Sequence, residues 1–265
     1  MSRFLALLLL LTSNTLHAEL RLTLFECGHL SFDDISAFGL SNEETPVREL
    51  FVPCYLIQHN AHFMVWDAGL PLTDVGRTDG NTRYEESFLD QLGAMDISAA
   101  DIDFVAFSHM HYDHVGAANA FSQATLLIQE TEAVAAFEHG QDNPVFRPEL
   151  YVDLIDANRR TLNGDHDVFG DGSVKIISAP GHTPGHQALY LELSNFGPLI
   201  LSGDLYHFEA SRELRRTPVF NTDAEETLRS MDKVEALIQS TDATFWIEHN
   251  QQLAETLNLA PAFYD

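Results

Sequence analysis

The sequence predicts one layered α/β domain, because short apolar runs of strand length alternate with amphipathic helical stretches in both halves of the 265-residue chain. No repeat and no low-complexity linker interrupts it, so we expect one body and not two. The apolar fraction of 45% is that of an ordinary globular protein, which argues against disorder. Composition and periodicity predict this class of fold but not its topology.

Nine strands are predicted along the chain. Residues 52–58 and 62–67 are two apolar runs with a short connection between them, and they indicate a hairpin. The other predicted strands are residues 20–25, 104–107, 125–128, 174–178, 187–193, 199–202 and 244–247. A turn-rich, mostly polar stretch at 141–148 is predicted to be a surface loop.

Three helices are predicted, at residues 85–92, 130–137 and 224–239. The third has the clearest pattern, because apolar residues recur on one face at Leu228, Met231, Val234 and Ile238. Either Thr222 or Asp223 can cap its N-terminus, since an acidic residue stands three positions after each of them.

The first eighteen residues have the pattern of an export signal. Arg3 supplies a positive start, and the apolar run 4–11 is too short to span a bilayer. A cleavage site follows Ala18. We therefore expect 1–18 to be a signal peptide, 19–265 to be the mature domain, and the protein to be periplasmic or secreted. An uncleaved N-terminal anchor is the alternative, and no later run is long enough for a membrane helix.

The cysteine count leaves two alternatives open. Cys27 and Cys54 can pair in an oxidising compartment, and the bond would then join the N-terminal strand to a later strand. Buried free thiols are the other outcome. The two residues are not spaced as a zinc site.

Acidic side chains dominate the charge. Forty acidic against fourteen basic residues give a formal net charge of -26. Such a field repels phosphate backbones, so a nucleic-acid substrate is disfavoured. A plain solubilising role for these acids is the alternative explanation.

Four side chains of metal-binding type follow the predicted strand 104–107 in close succession: His109, His111, Asp113 and His114. His109 and His111 are two apart, so an extended segment points both in the same direction. Asp113 and His114 are adjacent and diverge. One loop can therefore serve two neighbouring metal positions. A chance surface cluster is the competing explanation, but functional residues favour loops at strand ends.

Two metal ions need about four or five contacts each, solvent included, so other segments must contribute ligands. Three later segments offer candidates at or just after predicted strands. His182 stands in a turn rich in glycine and proline, Asp204 follows Gly203, and His249 follows an apolar run.

These motifs closely resemble the metallo-β-lactamase superfamily: His-x-His-x-Asp-His at 109–114, Gly-His-Thr-Pro-Gly at 181–185, Gly-Asp at 203–204 and the late His249. The resemblance covers nearly the whole mature chain and implies a four-layered αβ/βα sandwich with a binuclear site at one edge. It implies two sets of metal ligands, which are His109, His111 and His182 for one ion, Asp113, His114 and His249 for the other, and Asp204 as a bridge. Asp67 matches a supporting aspartate of the family.

The resemblance implies two divalent metal ions as cofactors. Zinc is expected, since histidine and aspartate ligands suit it, although manganese, iron and cobalt fit as well. Such a pair lowers the pKa of water toward about 7 and polarises a carbonyl group. Asp113 or Asp204 would accept and return the proton, so no serine or cysteine nucleophile is required.

Within the superfamily, the carboxylate of Asp204 is typical of glyoxalase II and the lactonases, whereas true β-lactamases lack the bridge. The stretches 180–187, 203–221 and 248–252 resemble N-acyl-homoserine lactonases. In those enzymes a tyrosine shortly after the bridging aspartate contacts the lactone, which makes Tyr206 the candidate for a third catalytic residue. It lies two positions after Asp204, whereas some members have the tyrosine three after, and a core tyrosine is the alternative. Asn250 replaces the usual aspartate after the last histidine.

The resemblance therefore implies opening of a lactone ring, with a small-molecule lactone or ester as partner, no nucleic acid and no stable membrane insertion of the mature protein. A homodimer is an open expectation, because similar lactonases are often dimeric. A glyoxalase II-like thioesterase, or another hydrolase of this fold, is the alternative. It is disfavoured because glutathione thioesters are anionic, basic side chains are scarce, and the chain after His249 is short.

Two further alternatives are less favoured. A degenerate, non-enzymatic member would be expected to lose ligands, and a nuclease would need a basic patch. His186 is expected to hydrogen-bond within its own turn. The remaining histidines fit no ligand position of the family, and they are His29, His59, His62, His139, His166 and His207.

Overall fold

The computed structural model describes residues 19–265, and the predicted signal peptide lies outside the described residues. The first seven strands in this range form one sheet and the next five form a second. The first sheet contains β1 (Leu20–Ser31), β2 (Glu49–His59), β3 (His62–Ala68), β4 (Thr82–Arg83), β5 (Phe104–Ala106), β6 (Thr125–Gln129) and β7 (Arg159–Leu162). The second contains β8 (His166–Asp167), β9 (Val174–Ser178), β10 (Gln187–Leu193), β11 (Gly197–Leu201) and β12 (Thr244–Trp246).

The α-helices lie between or after these strands. They are α1 (Phe88–Ala94), α2 (Glu130–Phe137), α3 (Glu209–Leu214), α4 (Ala224–Thr241) and α5 (Gln251–Ala254). None of the helices in residues 19–265 has both the length and the apolar composition that a membrane crossing requires.

Both sheets are mixed. The first has the order β4-β1-β2-β3-β5-β6-β7, with antiparallel pairing among β1, β2 and β3 and parallel pairing from β3 to β7. The second has the order β12-β11-β10-β9-β8, in which only the β11–β12 pair is parallel. Near the C-terminus, Tyr264 pairs with Leu22, so the tail returns to the first sheet.

Three buried clusters define the layers. The two sheets face each other through a core that contains Trp66 of the first sheet and Trp246 of the second. Residues of α1 and α2, among them Phe88, pack on the outer face of the first sheet. Met231 and Val234 of α4 pack on the outer face of the second. The order helix, sheet, sheet, helix confirms the expected four-layered αβ/βα sandwich.

The predicted hairpin is present as β2 and β3, and Asn60 occupies its turn with φ of 54°. Helix α4 has its predicted apolar face, and Asp223 is the cap, since its side chain accepts a hydrogen bond from the Glu226 N–H. Strand β1 runs longer than predicted, to Ser31, because a bulge at Gly28 interrupts the alternating pattern. Short elements escaped prediction: β4, β7, β8, α3 and α5.

A disulfide joins β1 to β2. Cys27 and Cys54 are bonded, with their Cα atoms 5.8 Å apart, which settles the alternative that the sequence left open. The bond packs against the chain that leaves β3. A Cβ atom on Gly69, whose φ is +67°, would lie 2.3 Å from Cys27 Cβ and 2.9 Å from Cys54 Sγ. Glycine is required there because both the left-handed backbone and the close approach exclude a side chain.

We expect the double substitution Cys27→Ala, Cys54→Ala to lower the free energy of unfolding. The bond closes a loop with a sequence separation of 27 residues, and the entropy of such a loop corresponds to about 3.5 kcal/mol. Denaturant unfolding at matched metal content measures the difference. Dithiothreitol should shift the natural protein toward the variant and leave the variant unchanged, and equal stability of the oxidised protein and the variant would contradict the expectation.

Candidate metal centre

All the predicted metal ligands meet at one edge of the sandwich. His109, His111, Asp113 and His114 lie in the segment that follows β5, whereas His182, Asp204 and His249 follow β9, β11 and β12. The ends of strands from both sheets therefore supply the site. This is the arrangement expected for functional residues on loops held by a rigid scaffold.

The first group of ligands comprises His109, His111, His182 and Asp204. His182 Nε2 lies 3.2 Å from His109 Nε2 and 3.1 Å from His111 Nδ1. It also lies 3.2 Å from Asp204 Oδ2. These atoms surround one point, as the ligands of a single cation do.

The second group comprises Asp113, His114 and His249. His249 Nε2 lies 3.2 Å from His114 Nε2, and Asp113 Oδ2 lies 3.9 Å from the first nitrogen and 4.0 Å from the second. Asp204 Oδ1 is 2.9 Å from His249 Nε2 and 3.1 Å from His114 Nε2. Asp204 thus turns one carboxylate oxygen to each group, which is the geometry of a bridge.

The direction of the histidine lone pairs shows that cations fit here. In three of the rings, the nitrogen that faces away from the centre is Nδ1, and it lies beside an oxygen that can accept a hydrogen bond but cannot donate one. His182 Nδ1 is 2.9 Å from Asn221 Oδ1, and His114 Nδ1 is 2.7 Å from Asp67 Oδ2. His249 Nδ1 is 2.7 Å from the Phe51 carbonyl oxygen. In its neutral form, each of these rings therefore carries its proton on Nδ1, so that Nε2 presents a lone pair to the centre. Lone pairs that face each other repel unless a cation lies between them.

Asp204 Oδ1 points to the same conclusion. It is buried and accepts no hydrogen bond within the described residues, despite its two close histidine nitrogens. A buried carboxylate oxygen without a partner is unfavourable by about 1–3 kcal/mol or more. The donor set of imidazole nitrogens and carboxylates suits zinc.

Burial keeps two ligands in the form that binds a metal. It lowers the pKa of His109 and that of His111 well below the ordinary value of 6.5, so both rings are neutral. Burial opposes ionisation of Asp204, but the surrounding histidines, His207 and His249 foremost, hold its pKa well below the ordinary value. His109 and His111 are therefore neutral ligands beside an ionised carboxylate, whereas the charge of Asp204 outweighs burial and raises the pKa of His249 to about 9 and that of His114 above its ordinary value.

Asp67 lies behind His114, where the family resemblance implies a supporting aspartate. Its Oδ2 lies 2.7 Å from His114 Nδ1, and its two oxygens accept hydrogen bonds from the Ser108 N–H and hydroxyl at 2.6 and 2.9 Å. Asp67 has φ of +55°, which is uncommon for a residue other than glycine. It orients the imidazole and connects it to the end of β5.

Two buried glutamates that sequence reasoning missed hold the ligand segments together. Glu132 of α2 accepts hydrogen bonds from the Met110 N–H at 2.9 Å and the Gly185 N–H at 2.8 Å. Glu248 accepts from the Gly203 N–H at 2.8 Å. Burial raises the pKa of Glu132, and it raises that of Glu248 to about 8. Nothing in the sequence distinguishes Glu132 from an ordinary acid in the first turn of a helix.

His186 bonds within its turn, as expected, and also holds Asp204. Its Nδ1 lies 2.9 Å from the Ala179 carbonyl, and its Nε2 accepts a hydrogen bond from the Asp204 N–H at 2.9 Å. A Cβ atom on Gly203, whose φ is +52°, would lie 2.6 Å from His186 Nε2. The glycine therefore permits the close approach that this hydrogen bond needs.

The placement of Tyr206 corrects its assignment as a catalytic residue. Its hydroxyl donates a hydrogen bond to Glu235 Oε1 on α4 at 3.1 Å, and its ring packs edge-on against Phe245 at 5.8 Å. It is a buried core tyrosine with a satisfied hydroxyl, the alternative that the sequence left open. The next residue faces the centre instead: His207 Nε2 lies 3.0 Å from Asp204 Oδ2.

A cavity of about 170 Å³ opens beside the ligands. Its polar lining groups belong to the centre or adjoin it, and they are His111, Tyr112, Asp113, Asp204 and His207. Its other lining residues are apolar, namely Leu30, Phe32, Ala37, Phe38, Leu50, Val145 and Phe220. Val145 belongs to the predicted loop 141–148, and Phe146 packs on His111 at 5.2 Å, so this segment covers the site and is not only a surface loop.

Comparison with known proteins agrees with this geometry. The family model of the metallo-beta-lactamase superfamily matches residues 47–239. The N-acyl homoserine lactonase AttM of Rhizobium radiobacter is 30% identical over 235 residues, which cover 82% of this chain and 88% of that protein.

Two solved structures share the fold. An N-acyl homoserine lactone hydrolase with N-hexanoyl-L-homoserine bound at its catalytic metal centre has a TM-score of 0.75 at 23% identity, over 92% of this chain and 98% of the other. AidC, a dizinc quorum-quenching lactonase, has a TM-score of 0.70 at 19% identity, over 93% and 94%. Because the family model spans most of the described residues and the ligand motifs converge as that family requires, this chain belongs to the metallo-β-lactamase superfamily.

Proposed function

We propose that this chain is a hydrolase that uses two divalent metal ions, zinc in the first instance, to open N-acyl-homoserine lactones. The observation that carries the proposal is Asp204, whose two oxygens face two groups of ligands beside an apolar cavity. When bound, such ions polarise a carbonyl group and lower the pKa of water. The substrate class is supported by AttM and by the hydrolase whose product lies at its metal centre.

Asp113 is the carboxylate that we assign to proton transfer. It lines the cavity, and its side chain is 12% exposed, so a water molecule beside the ligands can reach it. It accepts a proton as the water oxygen bonds to the lactone carbonyl carbon. It returns the proton to the ring oxygen as the ring C–O bond breaks, and the ring-opened product carries a new carboxylic acid.

The cavity and the charge suit this substrate class. An N-acyl-homoserine lactone combines a neutral polar ring with an apolar acyl chain. The ring can approach the carboxylates and histidines, while the chain contacts the apolar wall formed by residues such as Phe38, Val145 and Phe220. The net charge of -26 does not repel a neutral ester, whereas it disfavours anionic thioesters and phosphodiesters.

We expect the purified mature protein, loaded with Zn²⁺, to release one acid per molecule of N-acyl-homoserine lactone consumed. A panel assayed by pH-stat and mass spectrometry should contain a lactone series, an S-acyl glutathione, a cephalosporin and a phosphodiester. The matched control is the same protein after removal of metal by a chelator. Turnover of the thioester alone would favour the glyoxalase II-like alternative, and turnover of the cephalosporin alone would also refute the lactonase proposal.

We expect His111→Ala and Asp113→Ala to lose metal and activity together. Each removes a ligand, and a bound ion supplies several kcal/mol of transition-state stabilisation, so turnover should fall about a hundredfold or more. Elemental analysis of the same samples measures the metal. His62→Ala is the control, because the His62 side chain is 56% exposed and outside both groups. Full turnover by a ligand variant without bound metal would disprove the mechanism.

We also propose that the chain is exported and that residues 1–18 are removed. The positive start at Arg3 and the short apolar run 4–11 support this. The Cys27–Cys54 disulfide adds support, because such bonds persist in oxidising compartments.

Expression of the full chain in a Gram-negative host tests the proposal. We expect protein in the periplasmic or extracellular fraction whose intact mass corresponds to an N-terminus at Glu19 and an oxidised cysteine pair. Replacing Arg3 and part of the run 4–11 with acidic residues should retain the protein in the cytoplasm. A full-length mass in the cytoplasmic fraction of the unmodified chain would rule out export.

A further inference from the structure

His207 lies where the shared carboxylate meets the cavity. The side chain is only 3% exposed, and its Nε2 lies 3.0 Å from Asp204 Oδ2. It belongs to neither group of metal ligands, although both groups meet at Asp204. It also lines the cavity. The ring therefore adjoins the centre without being one of its ligands.

Neighbouring rings hold this imidazole in place. Phe38 lies 5.0 Å away, Phe220 lies 6.0 Å away, and His249 is stacked at 5.7 Å, all measured between ring centroids. His207 Nδ1 is buried and has no hydrogen-bond partner within residues 19–265. Within the described residues, the polar contact of the His207 ring is therefore the one between its Nε2 and Asp204 Oδ2.

The chemistry of a carboxylate allows this contact to coexist with a bound ion. Each carboxylate oxygen has two lone-pair sites. Asp204 Oδ2 can face the group of His109, His111 and His182 with one site and accept an N–H from His207 with the other. A carboxylate that spans two ions must keep one oxygen toward each, and an N–H on one oxygen opposes rotation away from that orientation.

We propose that His207 is a positioning residue, whose Nε2–H holds Asp204 Oδ2 so that the carboxylate spans both ligand groups. The inference rests on the metal pair of the proposed function and concerns its assembly. His207 acts through Asp204. Its loss should weaken binding of the more weakly held of the two ions and leave substrate binding unchanged. Residues that orient metal ligands in this way commonly change metal affinity by about tenfold to a hundredfold.

The test is His207→Phe, which suits the aromatic surroundings but removes the N–H. Competition with a chelator should show the affinity for the second equivalent of Zn²⁺ reduced about tenfold to a hundredfold. The absorption spectrum of the Co²⁺-substituted protein should change. At saturating metal, kcat for the lactone should fall while KM stays the same. His207→Gln, whose amide can donate to the same oxygen, should recover most of the affinity.

The control is His59→Phe. His59 Nε2 lies 2.8 Å from Asp171 Oδ2 and its ring stacks on Phe169 at 3.9 Å, so the substitution removes a similar contact outside the metal groups. We expect the His59→Phe variant to bind Zn²⁺ as tightly as the natural protein does. Circular dichroism and thermal unfolding of the metal-free proteins report whether each variant folds.

The outcomes separate the two proposals. If the natural protein fails to bind two Zn²⁺ ions, the proposed metal pair itself is wrong. If it binds two and His207→Phe binds them equally tightly, only the role of His207 is overturned. A raised KM with unchanged metal affinity would instead make His207 a substrate contact, and equal losses in the Phe and Gln variants would show that the imidazole, not its N–H, is needed.

Discussion

One electrostatic constraint governs the site: imidazole lone pairs and the Asp204 carboxylate converge on the same small volume. His182 Nε2 lies 3.1–3.2 Å from the nitrogens of two other rings and from an Asp204 oxygen. Lone pairs of neutral imidazole rings repel each other and an ionised carboxylate at these distances, whereas a bound cation makes the same distances favourable. The protein must therefore hold its ligands by interactions made on their outer sides.

Those outer interactions come from several layers of the fold. Asp67 at the end of β3 holds His114, Asn221 before α4 holds His182, and a carbonyl of β2 holds His249. Glu132 of α2 accepts N–H groups from two ligand segments at once. The buried core fixes the layers, the layers fix these polar groups, and the polar groups fix the tautomer and direction of each ligand. The precision of the site is therefore a property of the whole sandwich.

The candidate ligands could be identified from the sequence because metal binding restricts them to a few residue types near predicted strand ends, whereas their division between two ions followed from the family resemblance. The order of the layers followed from the family resemblance and not from periodicity. Tyr206 and His207 show the limit of such reasoning, because adjacent residues point in opposite directions and the turn at Gly203–Leu205 decides which one faces inward. Asp204 has non-helical angles within that turn, with φ of -92° and ψ of 23°. No local pattern predicts this conformation, and the same holds for the bulge that extends β1.

The succession of the two sheets along the chain has a consequence for assembly. His109, His111, Asp113 and His114 come from the segment that builds the first sheet, and His182, Asp204 and His249 come from the segment that builds the second. Neither half alone contains a complete set for either ion. Tight binding of either ion therefore requires the two halves to be packed together, and bound metal stabilises the assembled sandwich against their separation.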